Sequence, residues 1–287
     1  MVIGSIGTIL NDSISLFKLY KRMGFAQDSI KIAMRIAYNG GAFFGFQSQK
    51  DVLSVSGTIE AALQSVGIFS DFVGSGRTDK GVHASAQVIS LEIPSYWHNL
   101  ELLKQHLNAK LFPFIKIKQI WIVSEDFNAR FSAKRRGYCY VLSKQNSPFL
   151  NAFSLPYSIQ NVALFKQALE ILVGTYDFRA FMKVGGCGDE DINLQCKEYK
   201  AKYKEIKGRS VRTIYRTRLL ERRHFWILSF WGNGFLRSQI RLMVGFLLEI
   251  DKGHLGLEEL KAQLMGKKIY RIPVAPNGLF LTRVDYK

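Results

Sequence analysis

The tightest constraint on the fold is a repeated change in apolar spacing, from every second residue to every third or fourth and back again. From Lys31 onward, Ile32, Met34 and Ile36 alternate and then stop at Asn39-Gly40-Gly41, which predicts a strand closed by a turn. Ile59, Ala62, Leu63 and Val66 share one face of a helix predicted from Thr58. Residues 86–93 and 115–123 read as strands, and between them Asn99 can cap a short helix with Leu100, Leu103 and Leu107 in one stripe. The second half runs through the same mixture: a strand at GYCYVLS, a helix from about Asn161 ended by Gly174, and strands near 211–220 and 224–230. Over Phe235–Ile250 a helix is predicted that turns Ile240, Val244, Leu247 and Leu248 inward and sends Arg237 and Arg241, one turn apart, off a common face. A short helix over Leu257–Met265 and an alternating strand, GLFLTRVDY, complete the pattern. Because strands and helices interleave without long parallel crossovers, the expected class is α+β, with two mixed or antiparallel sheets and helices packed on them. A chain of 287 residues can divide this material into two lobes.

Charge narrows the choice of partner. Forty Lys and Arg against 23 Asp and Glu give a formal charge of +17 and a pI near 9.8, which points first to a polyanion such as nucleic acid. Between Lys197 and Arg223 lie eleven Lys or Arg, with Tyr199, Tyr203 and Tyr215 among them. That mixture suits phosphate contacts with stacking aromatics; it also suits a solvated strand face whose aromatics point into the core. No apolar run approaches the roughly 18 residues of a membrane span. Cys139, Cys187 and Cys196 cannot all pair and lack zinc-site spacing, so a reducing cytoplasm is the expected compartment. The first 30 residues carry Asp12 and Asp28 and have no basic start before an apolar run, so they do not read as a secretory signal. Gly185–Asp191, rich in Gly and acidic residues, is the expected mobile loop.

Several catalytic signatures are absent: the phosphate loop, the GxSxG elbow, HExxH and the dinucleotide glycine fingerprint. His83 and His224 have no second ligand at helical or hairpin spacing, and so read as structural or RNA-contacting residues. What remains is the run from Gly74 to Ala84, GSGRTDKGVHA, which sets one carboxylate, Asp79, between the cations Arg77 and Lys80 just before a strand. Glycines permit a sharp turn and close approach by a planar group, and adjacent cations keep a carboxylate ionised for nucleophilic or basic work. The same spacing also fits a turn Asp that bonds local backbone amides.

The stretch GRTDKGVHASAQV, Gly76 to Val88, resembles the catalytic motif of the TruA-type tRNA pseudouridine synthases. AYNGGAFFGFQSQ (37–49) is similar to that family's opening strand and turn, and DFNARFSAKRRGYCY (126–140) to its second motif. GFLRSQIRLMVGFLLEI (234–250) resembles its arginine-bearing helix, and APNGLFLTRVDY (275–286) its closing strand. These five blocks stand in family order and cover the chain from about residue 31. The resemblance implies that Asp79 is the catalytic aspartate and that Arg77 helps open the stem and occupy the vacated base position. It implies likewise that Tyr138 stacks on the target uracil and that Arg241 pairs with the aspartate. Also implied are two ferredoxin-like, RRM-like halves around a central cleft, 31–125 carrying the catalytic loop and 126–287 completing the cleft, after an N-terminal extension (1–30) of unknown role. A homodimer acting on the anticodon stem-loop of tRNA, at positions 38, 39 and 40, is implied too, with no metal or organic cofactor. Lys80 departs from the small residue usual in the family, the segment 185–209 is longer than the family requires, and residues 1–30 have no counterpart.

Isomerising uridine to pseudouridine breaks the N1 glycosidic bond, turns the uracil and rejoins it through C5. No group enters or leaves, so one carboxylate suffices, attacking ribose C1′ or removing the C2′ proton. Two other functions fit the composition or motifs: a non-catalytic RNA-binding protein built on RRM-like sheets, which would use the same charge and aromatics but has no use for Asp79, Tyr138 and Arg241 as a set, and a pseudouridine synthase of another RNA.

Overall fold

The computed structural model of the chain describes residues 28–183 and 210–287. Nearly all of the predicted N-terminal extension, the loop Gly185–Asp191, Cys187, Cys196 and the first part of the basic run Lys197–Arg223 lie outside the described residues. Within them the class is α+β.

The first half runs β1 (Ser29–Tyr38), α1 (Val55–Gln64), β2 (Phe72–Gly74), β3 (His83–Pro94), α2 (Leu100–Leu111) and β4 (Ile115–Ile122). The second runs β5 (Arg135–Ser143), β6 (Leu155–Pro156), α3 (Val162–Ile171), β7 (Gly174–Asp177), β8 (Val211–Glu221), β9 (Phe225–Gly232), α4 (Gln239–Asp251), α5 (Leu257–Leu264) and β10 (Leu279–Asp285). Where two sheets were expected there is one, ordered β4-β1-β3-β10-β5-β9-β8-β7, with β2 on β3 and β6 on β5. The reason is β10. It runs antiparallel to β5 and also pairs in parallel with the start of β3, Phe280 opposite His83 and Leu281 opposite Ala84. The same edge of β3 changes partner a few residues later, where Ile89, Ser90 and Leu91 pair with β2. Strand order within each half is alike: β4-β1-β3-β2 in the first and β10-β5-β9-β8 in the second, from a β-α-β-β-α-β progression to which the second half adds β6, β7 and α5.

Alternation decides which face of each strand is covered. Ile32, Met34, Ile36 and Tyr38 of β1 are buried together with Ile59, Leu63, Leu103 and Leu107 of α1 and α2. In the second half Tyr140, Leu142, Leu228 and Phe230 join Phe165, Leu169, Phe246 and Leu247 in the same core. Each such large apolar side chain contributes about 1.5–3 kcal/mol relative to exposure, which makes this burial the main source of stability. Asn99 caps α2 as its position predicts and Asn161, where the next helix was expected to start, caps α3, the two accepting the amides of Leu102 and Leu164, each at 3.0 Å. The helix expected from Thr58 begins at Val55, because Ser54 supplies the cap by accepting the Gly57 amide at 3.2 Å. The helix expected from Phe235 begins only at Gln239: Gln239 Oε1 accepts the Leu236 amide at 2.8 Å, and Ser238 stands at φ 58°, outside helical space. Arg237 therefore precedes α4 rather than sharing a helical face with Arg241.

Candidate active site

The catalytic-type loop leaves β2 and re-enters the sheet at β3, in the interval where the β3 edge passes from β10 to β2. Its entry is clamped by Gln87, a fully buried side chain whose amide donates to the Gly76 carbonyl at 2.7 Å and whose Oε1 accepts the Ser75 hydroxyl. The Ser75 amide in turn donates to the Val88 carbonyl at 2.8 Å, so the loop starts from a fixed point. The turn after β1 supports the middle of the loop. Tyr38 and Thr78 share a hydroxyl hydrogen bond of 2.8 Å, and the Phe46 amide donates to the Thr78 carbonyl at 3.1 Å. Gly40 lies so close that a Cβ there would sit 2.0 Å from the Val82 carbonyl oxygen, which accounts for glycine at that position. Its amide donates to Nδ1 of His83 at 3.0 Å, and burial pulls His83 below the ordinary imidazole value, consistent with a neutral, accepting ring. His83 stacks on Phe280 at 4.7 Å and is a structural residue of the seam between β3 and β10.

These supports set Asp79 in a cleft of about 1470 Å³ between the two halves. Its Oδ2 accepts the Ser238 hydroxyl at 2.6 Å and lies 3.4 Å from Nη1 of Arg241, while Nε of Arg237 is 4.0 Å from Oδ1. The Arg241 side chain is only 14% exposed and is fixed from behind, its Nε donating to the Val274 carbonyl at 2.8 Å, whereas the Arg237 side chain is 61% exposed. Tyr138, on β5 between β10 and β9, is buried in the floor of the cleft, edge-on to Phe235 at 5.3 Å. Burial pushes its phenol up to about 12; the Asp79 charge adds to this and Arg136 opposes it, so the hydroxyl is neutral over the physiological range. Arg77 is exposed at the cleft wall and pairs with no side chain among the described residues. Lys80 places its ammonium 3.9 Å over the ring of Phe44, so its charge is held beside the loop by a cation–π contact.

The fold thus gathers Asp79, Arg77, Tyr138 and Arg241 around one cleft. Two further residues take part that sequence reasoning did not single out. Ser238 supplies the shortest contact to Asp79. Arg136 reaches across the halves: its Nε and Nη2 both donate to the Ser75 carbonyl, at 3.0 and 2.7 Å, Nη2 also to the Arg130 carbonyl at 2.7 Å, and Nη1 to that of Asn233 at 2.9 Å. The doublet Arg135-Arg136 at the head of a strand was the available signal, but a basic pair there reads equally as a solvated end. The described part of the basic run forms β8, whose Arg216 and Arg218 are exposed and whose Arg212 lines the cleft. Among the described residues no group of His, Cys, Asp and Glu has the arrangement of a metal site, and no helix is long and apolar enough to cross a membrane.

The chain matches the tRNA pseudouridine synthase family model over residues 34–132 and 168–287. It is 36% identical over 254 residues to a tRNA pseudouridine synthase A of Wolinella succinogenes, covering 88% of this chain and 93% of that protein. Similarity to proteins of the same name extends to Helicobacter hepaticus, 38% over 260 residues, with 88% and 97% of the two chains covered. In Campylobacter jejuni it is 38% over 259 residues, with 90% and 100% covered. Matched blocks on both sides of the cleft, at this identity and over nearly the whole of each relative, place the chain in the tRNA pseudouridine synthase family.

Proposed function

We propose that this protein isomerises uridine to pseudouridine in the anticodon stem-loop of tRNA, at positions 38 to 40, with Asp79 acting on the ribose. The observation that carries the reading is the placement of Asp79, a partly exposed carboxylate held by Ser238 and Arg241 in a cleft walled by Tyr138 and Arg77. In one scheme an Asp79 oxygen bonds to C1′ as the C1′–N1 electron pair leaves on uracil. In the other it takes the C2′ proton, the C–H pair forms the C1′–C2′ double bond, and uracil again leaves with the N1 pair. Both require an anionic carboxylate, and Arg241 faces it with a guanidinium nitrogen at 3.4 Å. Tyr138 offers a flat, buried ring against which the detached uracil can turn; once the C5 electron pair has bonded to C1′, the C5 proton must leave and N1 must gain one, and the Tyr138 hydroxyl, neutral at rest, can relay that proton. Arg77 is free to enter the stack vacated by the base, and the exposed arginines of β8 supply phosphate contacts that offset the few kcal/mol of unstacking.

The common strand order of the two halves supports reading 31–125 and 126–287 as a pair of ferredoxin-like units, with catalysis assigned to the cleft between them. Action as a homodimer in the cytoplasm belongs to the same proposal. Purified full-length protein incubated with unmodified tRNA transcript and no added cofactor is expected to form pseudouridine, detected site by site, in the anticodon stem-loop. Asp79→Asn should fold and bind tRNA yet form none. Activity retained by that variant would return the cleft to a purely RNA-binding role or to another catalytic group.

A further inference from the structure

We infer that Ser238 is a positioning residue that makes Oδ1, not Oδ2, the reacting oxygen of Asp79; this rests on Asp79 being the catalytic carboxylate. The two oxygens of Asp79 stand in unequal surroundings. Oδ2 receives the Ser238 hydroxyl at 2.6 Å and the Arg241 guanidinium at 3.4 Å, so its lone pairs are engaged. The cation nearest Oδ1, Arg237 Nε, lies at 4.0 Å, beyond hydrogen-bond reach. Only Oδ1 therefore keeps an unengaged lone pair to form the new bond, whether to C1′ or to the C2′ proton, and the two donors fix the rotation of the carboxylate that presents it.

Ser238 departs from local preference in two ways at once. Its backbone is left-handed, φ 58° and ψ 10°, a conformation shared by only one other non-glycine among the described residues, Asp51. A serine at a helix start ordinarily accepts a backbone amide, yet Ser238 makes no side-chain cap bond to α4 and turns its hydroxyl to Asp79 instead. The neighbouring bonds of Gln239, from the Leu236 amide to Oε1 and from its own amide to the Leu236 carbonyl, hold the turn that makes this possible. Sites that keep such a conformation in a residue it does not suit are commonly functional, and here a single contact accounts for both departures.

The test is single-turnover pseudouridine formation on tRNA transcript at saturating enzyme, with tRNA affinity measured in parallel, for wild type, Ser238→Gly, Ser238→Asn and Asp79→Asn. Glycine fits the left-handed backbone without strain and lacks the hydroxyl. If the hydroxyl positions Asp79, Ser238→Gly folds and binds normally but slows the chemical step about tenfold to hundredfold. Asparagine tolerates the same backbone and carries an amide donor, so Ser238→Asn recovers part of that rate. A Ser238→Gly variant at wild-type rate, as a purely turn-forming role requires, or a Ser238→Asn variant no faster than glycine, overturns the inference. Asp79→Asn separates the two levels: if it is active, the assignment of the carboxylate fails; if it is inactive while Ser238→Gly is fully active, only the role of Ser238 fails.

Discussion

Replacing Arg136 with alanine should loosen the catalytic loop from across the cleft, and the size of the effect follows from the hydrogen bonds that the guanidinium makes. Arg136 donates four N–H···O bonds to three carbonyls, two of them to Ser75, a residue that is 1% exposed. A hydrogen bond with one charged partner has a net worth of about 1.5–3 kcal/mol where water cannot substitute, and much less where it can. The bonds to Arg130 and Asn233 lie at exposed positions, so water replaces them at about 0.5 kcal/mol each. Removing the paired bond to the Ser75 carbonyl costs about 2 kcal/mol, for a total near 3 kcal/mol. The catalytic step should suffer more than binding, because Asp79 lies four residues beyond Ser75 and a shift of about 1 Å at a reacting group costs on the order of a hundredfold in rate. Urea denaturation gives the stability change, amide exchange at Ser75 reports whether the loosening is local, and single-turnover assays give the rate. Arg136→Lys should recover little, since one ammonium cannot reach carbonyls on three segments. A denaturation midpoint and rate equal to wild type would refute the view that Arg136 ties the halves together at the loop.

Tyr138→Phe should bind tRNA normally and lose a large share of turnover; near-normal turnover would confine Tyr138 to stacking. Its phenol is raised by burial from an ordinary value near 10 to about 12, so the stability it confers when neutral is fully present below about pH 10 and lost as pH rises toward about 12. The same variant should therefore show a shallower alkaline fall in stability than wild type, read by denaturation across that window. Gly40→Ala should destabilise the protein by about 3 kcal/mol or more, since its Cβ meets a backbone carbonyl; a normal melting temperature would show that the turn can move away. Affinity for tRNA should fall steeply with salt, and Arg216→Glu with Arg218→Glu should weaken binding and flatten that dependence while leaving the saturated rate alone. An unchanged affinity would mean that β8 faces away from the RNA.

Sequence periodicity was most informative where one face of an element is buried and the other wet. β1 and the helices capped by Asn99 and Asn161 are of this kind, and they appear where alternation and capping chemistry put them. It failed at β2 and β7, which have three and four residues and too little length for a period to register. The start of α4 was misplaced because Phe235 and Leu236 continue an apolar run, although Phe235 turns toward Tyr138 and Gln239 caps the turn. The single sheet was hidden for another reason: its joining rungs connect Phe280 and Leu281 with His83 and Ala84, far apart in the chain, and pairing leaves no trace in local spacing. The site was legible only in part. Asp79 stands out as a lone carboxylate in a glycine-rich loop, but Arg241 lies 162 residues away and is otherwise one cation on a helix. Ser238 and Arg136 act through contacts formed only when the two halves meet.

The seam made by β10 also fixes when the enzyme can exist during its own synthesis. Asp79 and its supporting turn leave the ribosome early, but the strand that welds β3 to β5 is made only at residues 279–285. Until those residues emerge, the nascent chain holds a catalytic loop on one body and the floor of its cleft, Tyr138, on another, with no shared sheet to set their distance. A ribosome-bound chain paused before residue 279 would thus carry the basic strand β8 while β3 and β5 still lack the strand that joins them in one sheet.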